Sequence, residues 1–447
     1  MKEPNPLSRP AIPPASALPV NDSGRLADAQ TARGVALIGR GQLSEAIAAF
    51  GEAVKLVPAN AIARTNLAMT LARAGALAGD EGQLAEAVEQ QRMAVRLQPG
   101  SVGPHHKLAA ILAIADRVHD ALAVLDEALQ LDPGNANTRG LRSVAQLTLG
   151  DFANGWLDFD SRLHDPSRRA HDIPGVPRWR GETLSGTLLI NGMAEGQGDC
   201  IQGIRFAAEA RRRVASTVLL CLPSMARLMS RCDGVDRVVT TREGLSAVAA
   251  QIAPLYLAAI FRATPGTMKS EAYLSGDRAT VEHWRPAIES IPGLRVGIAW
   301  RGNPLNVQDA FRSFPLAELK PLAEVPDVSL VSLQRGHGSE QLADGGLAVV
   351  DLGEAYHAGD WLTTAGVMSH LDLVISPDSA IAHLAGALGR RAWIALPRPA
   401  EWRWMRDRDD SPWYPAMRLF RQDRIGDWSG VFRRMRDALA ELVATRE

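Results

Sequence analysis

Three prolines frame the first third of this chain. Pro133 follows Pro99 by 34 positions, and each is preceded by the same kind of triplet. Ala121, Leu125 and Ala128 stand before Pro133 as Ala87, Gln91 and Ala94 stand before Pro99. Ala46, Phe50 and Ala53 stand in the same way before Pro58. Residues three and four apart share one helix face, so each triplet marks a buried helical stripe. A helical unit repeating every 34 residues cannot bury its apolar face alone, so units must stack into a superhelix. Pro99 follows Pro58 by 41 positions, seven more than the period, which predicts an insertion in the second unit. The stretch AGALAGDEGQ, residues 74–83, is expected to hold it between the two helices. A fourth unit starts near Ala136 and runs through GDFANGWLDFDSRL, with Gly155 where alanine is usual, and is expected to cap the array.

Composition changes abruptly near Trp156, because all ten tryptophans lie from there onward. A chain of 447 residues is too long for one core, so two or three domains are expected. The reading is a disordered Pro-rich leader over 1–22, repeats over 23–165 and a polar linker over 166–182. An α/β lobe over 183–290 and a second over 291–447 follow. With 49 basic and 50 acidic residues the chain carries no bulk charge for nucleic acid or an anionic membrane. No apolar run approaches a membrane span. Cys200, Cys221 and Cys232 have neither metal-ligand spacing nor a disulfide framework, which suits buried thiols in a cytoplasmic protein.

The stretch LDLVISPDSAIAHLAGALGRRAWIAL, residues 371–396, carries the strongest local signal for a ligand site. Leu371 to Ile375 is a short apolar run of the kind buried in parallel sheets, and Ser376-Pro377 should end it, since Pro377 cannot donate to a ladder. Asp378 or Ser379 then caps a helix whose apolar face is Ile381, Leu384, Ala385 and Leu388, with Gly389 as the stop. Ala392 to Leu396 is the next strand. The loop of such a βαβ unit lies at the carboxyl end of its strand, where open α/β sheets bind ligands. Backbone N–H groups of Ser379, Ala380 and Ile381, with the helix dipole behind them, suit a phosphate. A βαβ crossover can also bind nothing, and His383 can be a satisfied core histidine.

Earlier in the chain, Thr187 to Asn191 is a strand leading into GMAEGQGDC and the helix IQGIRFAAEARRR. Gly196 and Gly198 permit close backbone approach. Asp199 is either a functional carboxylate or an ordinary helix N-cap. Leu294 to Trp300 opens the last domain, and Ser329 to Leu333 ends in the Gly-rich loop Gln334-Arg335-Gly336-His337-Gly338. Arg335 there is a ligand contact or a solvated charge. The tryptophans Trp402, Trp404 and Trp413 are read as packing, and the final helix, residues 431–445, as packing back across the domains.

The repeat period and triplets are those of tetratricopeptide repeats. PDSAIAHLAGALG resembles the donor loop and helix of heptosyltransferase-type glycosyltransferases, and AEWRWMRDRDDSPWYPAMRLFRQDRIGDW, residues 400–428, resembles bacterial proteins that join such repeats to a glycosyltransferase of this type. The resemblance implies an α-helical tetratricopeptide superhelix followed by a GT-B fold of two Rossmann-like lobes. It implies that Asp378, Ser379, Ala380 and His383 hold a nucleotide sugar, with Arg301, Asn303 and Arg312 from the loop after Leu294–Trp300, and with Gln334 and Arg335. It carries the role of catalytic base to Asp199, with Glu195 as the second carboxylate. It implies no cofactor and no metal, so that DRDDS at residues 407–411 is not a magnesium site. The expected acceptor is a hydroxyl of a protein recruited by the repeat groove, with flagellin Ser/Thr as one instance. The rival expectation is a non-catalytic adaptor whose α/β part is a degenerate nucleotide-binding module. Repeats that only join domains or dimerise also remain open.

Overall fold

The computed structural model describes residues 22–164, 169–268, 271–306, 308–344 and 346–445. The Pro-rich leader lies outside them, apart from its last residue, Asp22. The chain divides into two compact units. The first comprises the repeats together with Arg398–Met405 and Arg424–Asp427; the second holds the α/β part.

Eight helices build the repeats: α1 (Asp22–Gly39), α2 (Leu43–Leu56), α3 (Ala61–Ala78), α4 (Glu81–Leu97), α5 (Val102–Ile114), α6 (Val118–Leu131), α7 (Ala136–Thr148) and α8 (Phe152–Asp158). Each packs on the next, and the odd-numbered helices also touch one another in sequence, forming one row. The period residues are the buried ones. Ala46, Phe50, Ala53, Ala87, Gln91, Ala94 and Ala128 are fully buried, and Ala121 and Leu125 nearly so. A Cβ on Gly34 would lie 2.5 Å from the Phe50 ring, so the first unit is sized for a glycine against an aromatic. Gln91, at the position of Phe50, stays satisfied by donating from Nε2 to Pro104 O at 3.0 Å.

The insertion does not form a loop. Helix α3 is 18 residues and α4 is 17, against 13 and 14 for α5 and α6, so the extra residues lengthen both helices. AGALA is rich in good helix formers, and Asp80 caps α4 by accepting from Gln83 N at 3.0 Å. The turn tightens to Gly79, at φ 67°.

The fourth unit ends in short α8, where a Cβ on Gly155 would strike the Leu147 side chain at 2.7 Å. Trp156 meets Trp402 edge-on at 5.5 Å and Phe159 at 5.0 Å. The segment Arg398–Met405 thus covers the end of the array. Arg398 Nε donates to Asp116 Oδ2 at 2.7 Å within the same unit. Trp402 and Trp404 are packing residues, as read from the sequence. The expected repeat domain, 23–165, is therefore incomplete by itself, because its last aromatic layer is closed by residues some 240 positions downstream.

The second unit opens with strand β1 (Leu184–Asn191), then α9 (Gln197–Gly203), α10 (Ala207–Arg211), β2 (Val214–Leu220), α11 (Pro223–Met229), β3 (Arg237–Val239), β4 (Ala250–Ile252) and α12 (Pro254–Ile260). These four strands form a parallel sheet in the order β3-β2-β1-β4. Residues 171–179, assigned to the linker, belong to this lobe. Gln251 N donates to Pro177 O at 2.8 Å and Trp179 N to Gln251 O at 2.9 Å, which sets Arg178 beside β4. The buried Gln251 side chain binds Ile173 N and O and Val176 O, holding the stretch down by side-chain bonds that hydropathy does not reveal.

Helix α13 (Arg278–Glu289) leads to the second lobe: β5 (Leu294–Ile298), α14 (Asp309–Arg312), α15 (Lys320–Ala323), β6 (Val328–Ser332), α16 (Glu354–His357), α17 (Trp361–Met368), β7 (Leu373–Pro377), α18 (Ala380–Ala387), β8 (Ala392–Leu396), β9 (Met417–Arg421) and α19 (Trp428–Ala444). Its five parallel strands run in the order β6-β5-β7-β8-β9. Strand β7 continues through Pro377, which pairs with Ala395, rather than stopping before it. Val374 N donates toward the β8 side, so alternation aims position 377 toward β5, past the last pair, Ile298–Ile375. The missing N–H falls where no partner stands. Helix α19 lays Val431, Phe432, Met435 and Leu439 on the core of its own lobe, with Phe314 and Phe420.

Two predictions follow from this packing. Trp402→Ala should cost about 3–5 kcal/mol in denaturant unfolding of the helical unit, because it empties a buried aromatic site. Burial pushes the Cys221 thiol up to about 11 and the Cys232 thiol up to about 12. Both should resist thiol reagents at pH 8 until the chain unfolds. Because these values are raised in the folded state, their contribution to stability is full below the ordinary thiol value and declines as pH rises toward 11–12.

Candidate functional site

In the second lobe the strand order reverses direction between β5 and β7, the topological switch point at which such sheets bind ligands. Ile298 pairs with Ile375, so Arg301 and Asp378 each stand three residues beyond the same rung.

The loop after β5 is held from β6. Gln334 Oε1 accepts from Trp300 N and Arg301 N, both at 3.0 Å, while Nε2 donates to Arg301 O at 3.2 Å and His337 O at 2.8 Å. Gln334, expected to contact donor, is instead a buried staple whose amide is fully committed. Arg335 is committed through its two terminal nitrogens, while its Nε has no acceptor among the described residues. Its guanidinium donates to Gly359 O, Asp360 O and Thr364 Oγ1 at 2.7–3.0 Å and lies 4.3 Å from the Tyr356 ring. Arg312 pairs with Asp309 at 3.3 Å against Gly302, and Asn303 Oδ1 accepts from Leu305 N in a local turn. Arg301, like Arg335, keeps an unmet donor. Its Nε is buried with no acceptor among the described residues, beside Gly338, whose φ of 95° brings backbone against the Arg301 stem.

On the other side of the switch point, Ser379 is the N-cap of α18, with its hydroxyl 2.8 Å from that of Ser376. Asp378 is 8 % exposed and its carboxylate makes no hydrogen bond among the described residues; its nearest partner is His383 Nε2, at 3.9 Å. An almost buried carboxylate without a donor is costly unless something binds to it. The ring of His383 is 2.9 Å from the Tyr414 hydroxyl through Nδ1. Gly386 lets Tyr414 lie on α18, since a Cβ there would stand 2.3 Å from its ring.

The first lobe has its own switch point, between β1 and β4. Helix α9 begins at Gln197, four residues earlier than expected, with Gly196 as N-cap. Asp199 is therefore the third residue of the helix and not its cap, and its Oδ2 accepts from Gly196 N at 3.1 Å. Glu195 Oε2 accepts from Leu255 N at 2.8 Å, bridging to the start of α12. Both candidate carboxylates thus have backbone partners.

The two loops meet. Helix α9 packs on α18, where a Cβ on Gly198 would lie 2.8 Å from His383 Cδ2 and 3.4 Å from Ala380 Cα. Trp361 Nε1 donates to Gln197 Oε1 at 2.9 Å beside this contact. Arg335 holds the carbonyls just before Trp361, so it supports the meeting of the lobes from behind. The structure therefore gathers Asp378, Ser379, Ala380 and His383 with the α9 loop, and takes Gln334 and Arg335 into supporting roles. Tyr414, Trp361 and Gln197 escaped the sequence reading; only the tyrosine's place in a Trp-rich run gave any signal.

No family profile matches the chain. It is 28 % identical over 376 residues to protein FlbA of Caulobacter vibrioides, an alignment that covers 76 % of this chain and 61 % of FlbA. Among solved structures, an O-GlcNAc transferase mutant of Thermobaculum terrenum is similar over 95 % of this chain and 94 % of its own, at 15 % identity and a TM-score of 0.34. MamA from Desulfovibrio magneticus RS-1 is similar over 34 % of this chain and 82 % of its own, at 17 % identity and a TM-score of 0.28. The strand orders and the helix pairing, not these superpositions, define the fold.

Gly198→Val should separate α9 from α18, because its side chain would meet the His383 ring and the α18 backbone at once. Its expected signature is a lower melting temperature of the α/β unit together with loss of nucleotide binding. Unchanged binding would remove this contact from the site.

Proposed function

We propose that the chain is a glycosyltransferase that moves a sugar from a nucleotide-activated donor to a protein hydroxyl brought by the repeats. The observation that carries this reading is the meeting of the two switch-point loops, with Asp378, which has no hydrogen-bond donor among the described residues, and the unmet Arg301 Nε on the donor side. Two parallel lobes whose ligand edges face each other suit a reaction between two bound substrates. In this reading Arg301 and the first turn of α18 take the charge of the leaving nucleotide phosphate. Asp378 and His383 bind the hydroxyl groups of the donor. Asp199 accepts the proton of the attacking hydroxyl. The residues named would supply this chemistry without a cofactor or metal. The repeat groove presents the acceptor, for which a Ser/Thr hydroxyl of a flagellar protein such as flagellin is the first to test. No helix among the described residues is long and apolar enough to cross a membrane, and the cytoplasm, where nucleotide sugars are made, is the proposed location.

A second reading is an adaptor that binds a nucleotide without turnover, or none. It is favoured by the hydrogen bonds that Glu195 and Asp199 already make to backbone N–H groups. Thermal shift against UDP, GDP, ADP and CMP and their sugars separates the two. A ligand at 100 times its Kd should stabilise the protein by about 2.7 kcal/mol. With the active donor found, Asp199→Asn should lower the transfer rate by about 10²–10⁴-fold at nearly constant donor affinity. Asparagine keeps the bond to Gly196 N, so near-normal turnover would mean that Asp199 only closes its helix.

A further inference from the structure

His383 is gripped from the other lobe. Arg205, in the turn between α9 and α10, lies 4.7 Å from the Tyr414 ring and 4.6 Å from the Tyr273 ring, and its Nη1 donates to Trp413 O at 3.0 Å. Tyr273 gives its hydroxyl proton to Ile201 O at 3.0 Å. The Tyr414 hydroxyl meets the Arg205 guanidinium, a donor only, and lies 2.9 Å from His383 Nδ1 and 3.5 Å from the Tyr273 oxygen. The shorter contact takes its proton. The guanidinium beside the tyrosine strengthens this choice, because a nearby cation makes a phenol a better donor and a poorer acceptor. On the far side of the ring, Nε2 faces the Asp378 carboxylate at 3.9 Å. A lone pair on Nε2 would be repelled there, and an N–H is attracted.

We propose that Tyr414, braced by Arg205 from the first lobe, is a positioning residue that holds His383 as the neutral Nε2–H tautomer. The donor loop then presents an N–H donor and a carboxylate acceptor side by side, a pair that matches a hydroxyl, which both gives and takes a hydrogen bond. A phosphate oxygen would satisfy the imidazole and be repelled by Asp378. The pair thus selects the polyol portion of a ligand and leaves its phosphate to Arg301 and the helix start. Because Arg205 and Tyr414 come from different lobes, the tautomer is set only when α9 and α18 are together. The use of this pair on a donor sugar or ribose rests on the sugar-transfer reading above; the tautomer does not.

The test is a two-bond ¹H–¹⁵N spectrum of the full chain with labelled histidine at pH 8, with His383→Asn to assign the signal. The expected result is a protonated Nε2 and an unprotonated Nδ1 for His383 in the wild type. In Tyr414→Phe both nitrogens should shift toward a mixture of tautomers, and Arg205→Met should shift them part of the way. An Nδ1–H tautomer or an imidazolium in the wild type overturns the proposal even if no variant folds. Tautomers unchanged in both variants overturn the part played by Tyr414 and Arg205. UDP, GDP, ADP and CMP sugars, titrated in parallel, should bind Tyr414→Phe about five- to tenfold more weakly than wild type. If the spectra come out as expected and the wild type binds none of these sugars, the positioning stands and the sugar-transfer reading falls.

Discussion

The α/β unit depends on one close approach, that of Gly198 to the ring of His383 and the first turn of α18. Even a Cβ there would stand 2.8 Å from His383 Cδ2, so any side chain forces the ring to move. Through this contact the carboxyl edge of one sheet is held against that of the other, and Trp361–Gln197 and Arg205–Trp413 reinforce it. The candidate site is therefore a property of two lobes at once. Asp378, His383 and Tyr414 come from the second, while Gly198 and Arg205 reach them from the first.

Buried amides govern the loops that flank this contact. Gln334 fixes the loop after β5 with four hydrogen bonds, and Gln251 fixes residues 171–179 along β4. Such groups are costly to bury unless satisfied, and once satisfied they specify a single loop conformation. A glutamine after a strand looks like a ligand contact because its amide is rich in donors and acceptors. Here the backbone uses all of that capacity, while Arg301 and Arg335 each keep a buried Nε with no acceptor among the described residues.

The repeats follow a different logic. Their stability is local, pair on pair, and the terminal pair has an uncovered face unless something caps it. Trp402 and its neighbours are that cap, set against Trp156 and Phe159. The Trp-rich run near the end of the chain is thereby divided: Trp402 and Trp404 close the helical array, Trp413 meets Arg205, and Tyr414 lies on α18.

What the sequence determined by itself was whatever depends on short-range pattern. The 34-residue spacing of prolines and triplets gave the helix pairs, and short apolar runs followed by turn residues gave most strands and the α18 loop, because burial imposes a period that neighbours in the chain share. The insertion at 74–83, expected between the two helices, lengthens both of them instead. What only the tertiary structure decided was which polar groups are already satisfied. The Gln334 amide is taken up by backbone, Arg335 donates to Gly359 O, Asp360 O and Thr364 Oγ1, and Glu195 and Asp199 accept from backbone N–H groups. Apart from the local bond of Asp199 to Gly196, these outcomes turn on hydrogen bonds to residues distant in sequence, and a hydrogen bond requires a partner within about 3 Å. Spacing along the chain does not encode such a distance; only the packing of one element on another does.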